Sequence, residues 1–154
     1  MDRIERLPVA QLLAGLYVTW SPVCAAQGRP LVVGVAPQGL AVLADRTRIS
    51  QAVGNLIANA LEHGEGAIEV RPRCAGGVLR IEVRDGGRGL GRPLREIVRR
   101  PRAGLGRRGR GLAIAASIAR RAGGALSTAP GAAVVLELPL LAAADGLAPE
   151  EATR

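Results

Sequence analysis

Asn55, Asn59 and His63 recur at every fourth position of the stretch DRTRISQAVGNLIANALEH, and no other feature restricts the fold as much. Residues four apart lie on one stripe of an α-helix. Asp45 is placed to cap that helix at its start and Gly64 to end it. Two stacked amides offer neutral oxygens and N–H donors on one face. A hard cation bound with phosphates accepts such partners, because Mg²⁺ is usually held by few protein oxygens plus substrate oxygens and water. Taken alone, the pattern also suits asparagines that cap loops or pair with buried backbone.

Around this helix the chain reads as alternating helices and strand pairs. Val9 to Ala26 reads as a helix, with Pro22 a point of interruption. Leu31–Val35 and Leu40–Leu43 read as short strands around Pro37-Gln38-Gly39, and Ala67–Arg73 with Val78–Arg84 as a hairpin around Ala75-Gly76-Gly77. Residues 85 to 110 are rich in Gly and Arg, with one helical turn around Leu94–Val98. A third long helix is expected from Gly111 to Ala122, stopped by Gly123-Gly124. A last hairpin, Ala125–Thr128 and Val134–Leu140, turns at Pro130-Gly131. Paired strands separated by helices imply an α+β two-layer sandwich, one sheet covered on one face by three helices. The 154 residues contain no internal repeat or linker. We expect one domain over 1–141 and a frayed tail over 142–154.

Two further motifs carry chemistry. Asp85-Gly86-Gly87-Arg88-Gly89-Leu90 follows the strand VLRIEVR. A carboxylate at a strand end can accept a hydrogen bond from an exocyclic amine such as adenine's, and glycines let a ligand approach the backbone. An ordinary Asp-Gly turn has the same letters. Gly109-Arg110-Gly111-Leu112 opens the third helix, where unpaired N–H groups and the positive dipole end suit phosphate. Arg108 and Arg110 could add charge-assisted contacts, or the stretch could be a plain loop-to-helix junction. Gly104 to Gly109 also satisfies G-x-G-x-x-G, but no buried strand precedes it, so a dinucleotide fold is rejected.

Charge narrows the partners. From Arg88 to Arg110 there are nine arginines and one acid, Glu96, a local balance equal to the +8 of the whole chain. A nucleic-acid binder could use such a segment. Yet Tyr17 and Trp20 are the only aromatics, so base stacking has almost no platform, and nucleic acid is disfavoured. No apolar run approaches the roughly 20 residues of a membrane span, which reads as a soluble chain without membrane contact. Cys24 and Cys74 lack metal-ligand spacing and read as two thiols in a reducing cytoplasm.

In order and spacing these motifs resemble the GHKL ATPase superfamily and, within it, the catalytic domain of sensor histidine kinases. NLIANALEHG resembles the N box, DGGRGL the first glycine box and GRGLAIA the second, and the likeness extends over about residues 8 to 140. The resemblance implies the Bergerat fold, a mixed, mostly antiparallel sheet with helices on one face. It implies ATP and Mg²⁺ as cofactors. Asn59 then coordinates Mg²⁺, Asn55 assists at the phosphates and His63 flanks the adenine. Asp85 reads the adenine beside Gly87, Gly89 and Leu90, while Arg108, Gly109, Arg110, Gly111 and Leu112 face the phosphates. The implied partner is a histidine-bearing dimerisation domain in the same kinase or a separate chain, with a response regulator beyond it, in the cytoplasm.

Asn55 selects among these relatives, because ATP-hydrolysing and serine-directed members place a glutamate base there. An amide takes no proton at neutral pH, whereas an imidazole nucleophile needs no such help. Several positions depart from the kinase pattern. Glu62 stands where a Lys or Arg is usual, Ile97-Val98-Arg99-Arg100-Pro101 replaces the F box, and Arg107 replaces a glycine. These departures support an alternative, a nucleotide-binding regulatory module of the same fold without phosphotransfer. His63, the only histidine, lies inside the nucleotide motif and is a poor phosphoacceptor.

Overall fold

Eleven elements follow one another in the computed structural model, which describes residues 1–99 and 106–142. They are β1 (Ile4–Pro8), α1 (Val9–Ala26), β2 (Leu31–Val33), β3 (Ala41–Asp45), α2 (Arg46–His63), β4 (Ile68–Ala75), β5 (Val78–Arg84), α3 (Leu94–Arg99), α4 (Gly106–Arg121), β6 (Ala125–Ala129) and β7 (Ala133–Pro139). Five strands form the main sheet in the order β2-β4-β5-β7-β6, with β2 parallel to β4 and every other pair antiparallel. This is the expected mixed α+β layer. Alternation explains which side is dry: Leu79, Ile81 and Val83 of β5 and Leu136 and Leu138 of β7 are buried in the core with Leu56 and Ile57 of α2 and Leu112 of α4. The opposite face carries Arg80, paired to Glu137 at 2.7 Å, and Arg84 and Arg73 around Glu82.

Four local expectations are corrected. β2 and β3 are not partners: β3 pairs with β1, from Ile4↔Asp45 to Pro8↔Ala41, in a separate two-stranded sheet. The charged IERLP stretch hid β1, since only Leu7 of its residues is fully buried. α1 passes through Pro22 without a break. α4 starts at Gly106, five residues before the expected Gly111. Finally, α1 does approach a membrane span in length and composition, with 18 residues of mean hydropathy 1.4 and no charged residue. Its Val9, Leu12, Leu13, Leu16 and Cys24 are nevertheless part of the protein core. Residues 143–154, expected as a frayed tail, lie outside the described residues.

Two positions hold residues that local propensity disfavours, each with a local reason. Gly54 sits in the middle of α2, where glycine costs about 1 kcal/mol against alanine. A methyl there would lie 3.2 Å from the Trp20 ring of α1. Pro72 stands inside β4, two residues past Val70, the last residue paired with β2, where no ladder donor is required on that side.

Candidate functional site

The amide stripe on α2 is held from both ends. Asp45 accepts from the Arg48 amide at 3.2 Å, capping the helix, and from the Arg3 amide at 2.6 Å, tying in the chain before β1. These bonds, that from Arg3 first, lower the Asp45 carboxyl below its ordinary value. At the other end the Gly64 amide donates to Ala60 O at 2.9 Å and closes α2.

The three stripe residues have different surroundings. Asn55 donates through Nδ2 to the Gly111 carbonyl at 3.1 Å, so it ties α2 to α4. It does not line the cavity described below. Asn59 does line it, and its Oδ1 is buried with no hydrogen-bond donor among the described residues. A buried carbonyl oxygen left in that state costs about 1–3 kcal/mol, so its retention points to a ligand that it meets. His63 stands on the rim, about a third exposed, with Glu62 Oε2 3.7 Å from its Nε2.

Opposite the stripe, β5 ends at Arg84 and delivers Asp85 to the cavity floor. The Asp85 amide is fixed to Ala132 O at 3.1 Å. Its Oδ1 accepts from the Gly87 amide at 2.6 Å and from the Glu65 amide at 3.4 Å. The Gly86 amide returns to Glu65 O at 2.7 Å. The carboxylate is packed between two glycines. A methyl at Gly64 would lie 2.5 Å from Oδ2, and one at Gly87 would lie 2.8 Å from Oδ1. Gly64 has an ordinary negative φ of −97°, so space and not backbone conformation demands glycine there. Gly89 and Gly91, with φ of +83° and +71°, do need glycine to turn the next segment over the cavity, where Gly89 and Leu90 join the lining. The space is about 340 Å³, within the range of small-ligand sites.

The third motif sits differently from its sequence reading. Because α4 begins at Gly106, its unpaired amides belong to the turn before Arg110. Gly109 is buried, Arg110 is exposed, Leu112 is fully buried in the core, and Gly111 receives the Asn55 bond. None of these four lines the cavity. Arg100, Pro101, Gly104 and Leu105 fall outside the described residues, and so do the side chains of Arg107 and Arg108. In the segment standing for the F box, Ile97 is fully buried and packs α3 into the core.

Two arginines that no motif contains brace this site. Arg29 donates from Nη1 to Ala60 O and Leu61 O at 2.8 and 2.9 Å, and from Nε to Gly66 O at 2.8 Å. Arg84 donates from Nη1 to Pro130 O at 2.7 Å, holding the β6–β7 turn whose Gly131 lines the cavity. The groups they hold at this site are backbone carbonyls, which leave no trace in a sequence.

Residues 44–142 match the family described as histidine kinase-, DNA gyrase B- and HSP90-like ATPase. The chain belongs to this family. Over 104 residues the ATPase domain is 36% identical to the C4-dicarboxylate transport sensor protein DctB of Rhizobium meliloti (strain 1021). The match takes in 62% of this chain and 16% of DctB, so the domain spans about a sixth of that relative. Among solved structures it resembles the nucleotide-free catalytic domain of the histidine kinase ThkA, with a TM-score of 0.76 at 24% identity, over 89% of this chain and 95% of that one. It also resembles full-length ShkA in complex with AMPPNP, with a TM-score of 0.74 at 24% identity, covering 94% of this chain and 33% of ShkA. For the ATP-binding domain of PrrB from Mycobacterium tuberculosis the TM-score is 0.68 at 24% identity, over 92% of this chain and all of that one. The fold is that of a sensor-kinase catalytic, ATP-binding domain.

Proposed function

We propose that the ATPase domain binds Mg·ATP in the cavity between α2, the end of β5 and the β6–β7 turn. From there it delivers the γ-phosphate to a histidine on a separate dimerisation and phosphoacceptor domain or chain. The observation that carries this reading is Asp85, a carboxylate held by two backbone amides on the floor of a cavity that Asn59 also lines. In this arrangement Asp85 accepts from the exocyclic amine of adenine, while Gly87 and Gly89 let the base approach the backbone and Leu90 covers it. His63 flanks the ring from the rim.

Asn59 suits Mg²⁺ because its oxygen is neutral, buried and lacks a donor among the described residues. The described residues contain no cluster of three acidic, His or Cys groups, so such an ion would be held mainly by the phosphates and Asn59. Bound there, the ion would supply charge neutralisation to the transferring phosphoryl group. Asn55 fixes α4 through Gly111 and so sets where Arg108, Gly109, Arg110, Gly111 and Leu112 stand relative to the phosphates. Having no basic group, it leaves deprotonation to the acceptor, which suits a neutral imidazole and not water or serine. The acceptor partner and a response regulator lie outside this chain in this reading, and the setting is cytoplasmic.

A second reading, a regulatory nucleotide-binding module without phosphotransfer, is favoured by Glu62. Its carboxylate lies beside His63 at the cavity rim and would repel phosphate. Calorimetric titration with a non-hydrolysable ATP analogue, with and without Mg²⁺, tests the binding reading. We expect saturable binding that weakens in Asp85→Asn and weakens further without Mg²⁺. No binding at millimolar nucleotide would sink it. Transfer of labelled phosphate to an added histidine-bearing helical hairpin separates the kinase from the regulatory module.

A further inference from the structure

The bonds of Arg29 converge on the loop that grips Asp85, and neither the family motifs nor the comparisons assign this residue a role. We propose that Arg29 is a positioning residue for base recognition, acting through the Gly64–Gly66 loop on the Asp85 carboxylate. The inference rests on the adenine-reading role proposed for Asp85.

Arg29 follows α1 in a turn that Gly28 makes with a φ of +67°. The turn is fixed at its base, because the Arg29 amide donates to Cys24 O at 3.0 Å and Pro30 O accepts from Ile68 at 2.9 Å. From this anchor the guanidinium spans the loop between α2 and β4. Nη1 holds the last-turn carbonyls of α2 and Nε holds Gly66 O beyond the loop. Between those fixed points lies Glu65, whose amide donates to Asp85 Oδ1 and whose carbonyl accepts from Gly86. Gly64, in the same loop, is packed directly against the Asp85 carboxylate.

The chemistry suits arginine alone. A planar fork with five donors reaches three carbonyls at once, whereas an ammonium is a single point of charge. Carbonyls at a helix C-terminus also carry the negative end of the macrodipole, which a cation satisfies. Moving the loop would move Glu65 N and Gly64, and both bear on Asp85. The cavity floor is therefore set by an arginine outside the cavity.

The test is calorimetric binding of ATP and ITP to the chain and to Arg29→Lys and Arg29→Gln, with melting temperature recorded beside each. ITP replaces the exocyclic amine by a carbonyl, so the wild-type chain should prefer ATP. Arg29→Lys should lower the ATP-to-ITP preference about tenfold, the scale of one lost charge-assisted hydrogen bond. The same change in an Asp85→Asn background should then alter the ratio no further, since the two residues act through one path. An unchanged ratio with a lower melting temperature would make Arg29 a plain helix cap and overturn the assignment, as would failure of both variants to fold. Equal binding of ATP and ITP by the wild-type chain would instead sink the adenine reading of Asp85, and the role of Arg29 with it.

Discussion

The two walls of the cavity are built by opposite means. Its inner wall, from Asp85 through the Gly64–Gly66 loop to Asn59, is held by backbone amides, a helix end and the sheet. Its outer wall, from Arg88 to Leu94, turns on Gly89 and Gly91 at positive φ and exposes Arg88 and Arg92. In the inner wall the Asp85 carboxylate is over-determined, by two amides and two closely packed glycines. The outer wall has charge and two turns that need glycine. A ligand's base, which must be distinguished from others, is best met by a fixed group such as Asp85, whereas phosphates need charge more than geometry, and in the outer wall Arg88 and Arg92 supply it.

The sharpest way to break this comparison is Asp85→Asn. If the inner wall carries recognition, the variant should bind an ATP analogue about 10- to 100-fold more weakly, the worth of a hydrogen bond to a charged acceptor. Titration calorimetry decides it. Equal affinity would mean that Asp85 is an ordinary turn residue and that the contrast between the walls has no functional content.

Gly64→Ala tests whether packing places that carboxylate. The added methyl would meet Asp85 Oδ2 at 2.5 Å and Oδ1 at 2.6 Å. We expect about a tenfold loss of affinity, with overpacking costing about 1–3 kcal/mol of stability in denaturant titration. A fully stable variant that binds normally would show that the loop yields and the inner wall is softer than argued.

Asn59→Ala separates function from stability by sign. The buried Oδ1, without a partner among the described residues, lowers the stability of the chain without ligand, so its removal should leave the melting temperature unchanged or raise it. The same variant should lose most of the Mg²⁺-dependent gain in nucleotide affinity. A clear drop in melting temperature would show that Asn59 is a structural amide.

What could be read in the sequence follows the same division. α2 and the β4–β5 hairpin were legible because hydrophobic periodicity, Asp45 as a cap and the Gly76-Gly77 turn all agree. The strand β1 was not, because a two-stranded edge with one fully buried residue leaves no alternation to see. The start of α4 was misjudged because its first turn is glycine and arginine, which read as loop. Asp85, Asn59 and His63 were legible as candidates because motif and spacing carried them, and the cavity brings these three together. Arg29 and Arg84 could not be found, because they act on carbonyls contributed by any residue type.

The smallest effect is expected on the outer wall. Arg88 and Arg92 are exposed where they line the cavity, so water and salt screen them from phosphate. Arg88→Gln with Arg92→Gln should weaken ATP-analogue binding about threefold or less at low salt, and not at all in about 1 M salt, where the Debye length shrinks to roughly 3 Å. The ATP-to-ITP preference should not change, because neither arginine bears on Asp85. A large loss that persists in high salt would mean that these side chains dock against the phosphates in the bound state. The outer wall would then be as geometrically determined as the inner one, and the contrast between them would be a property of the ligand-free chain alone.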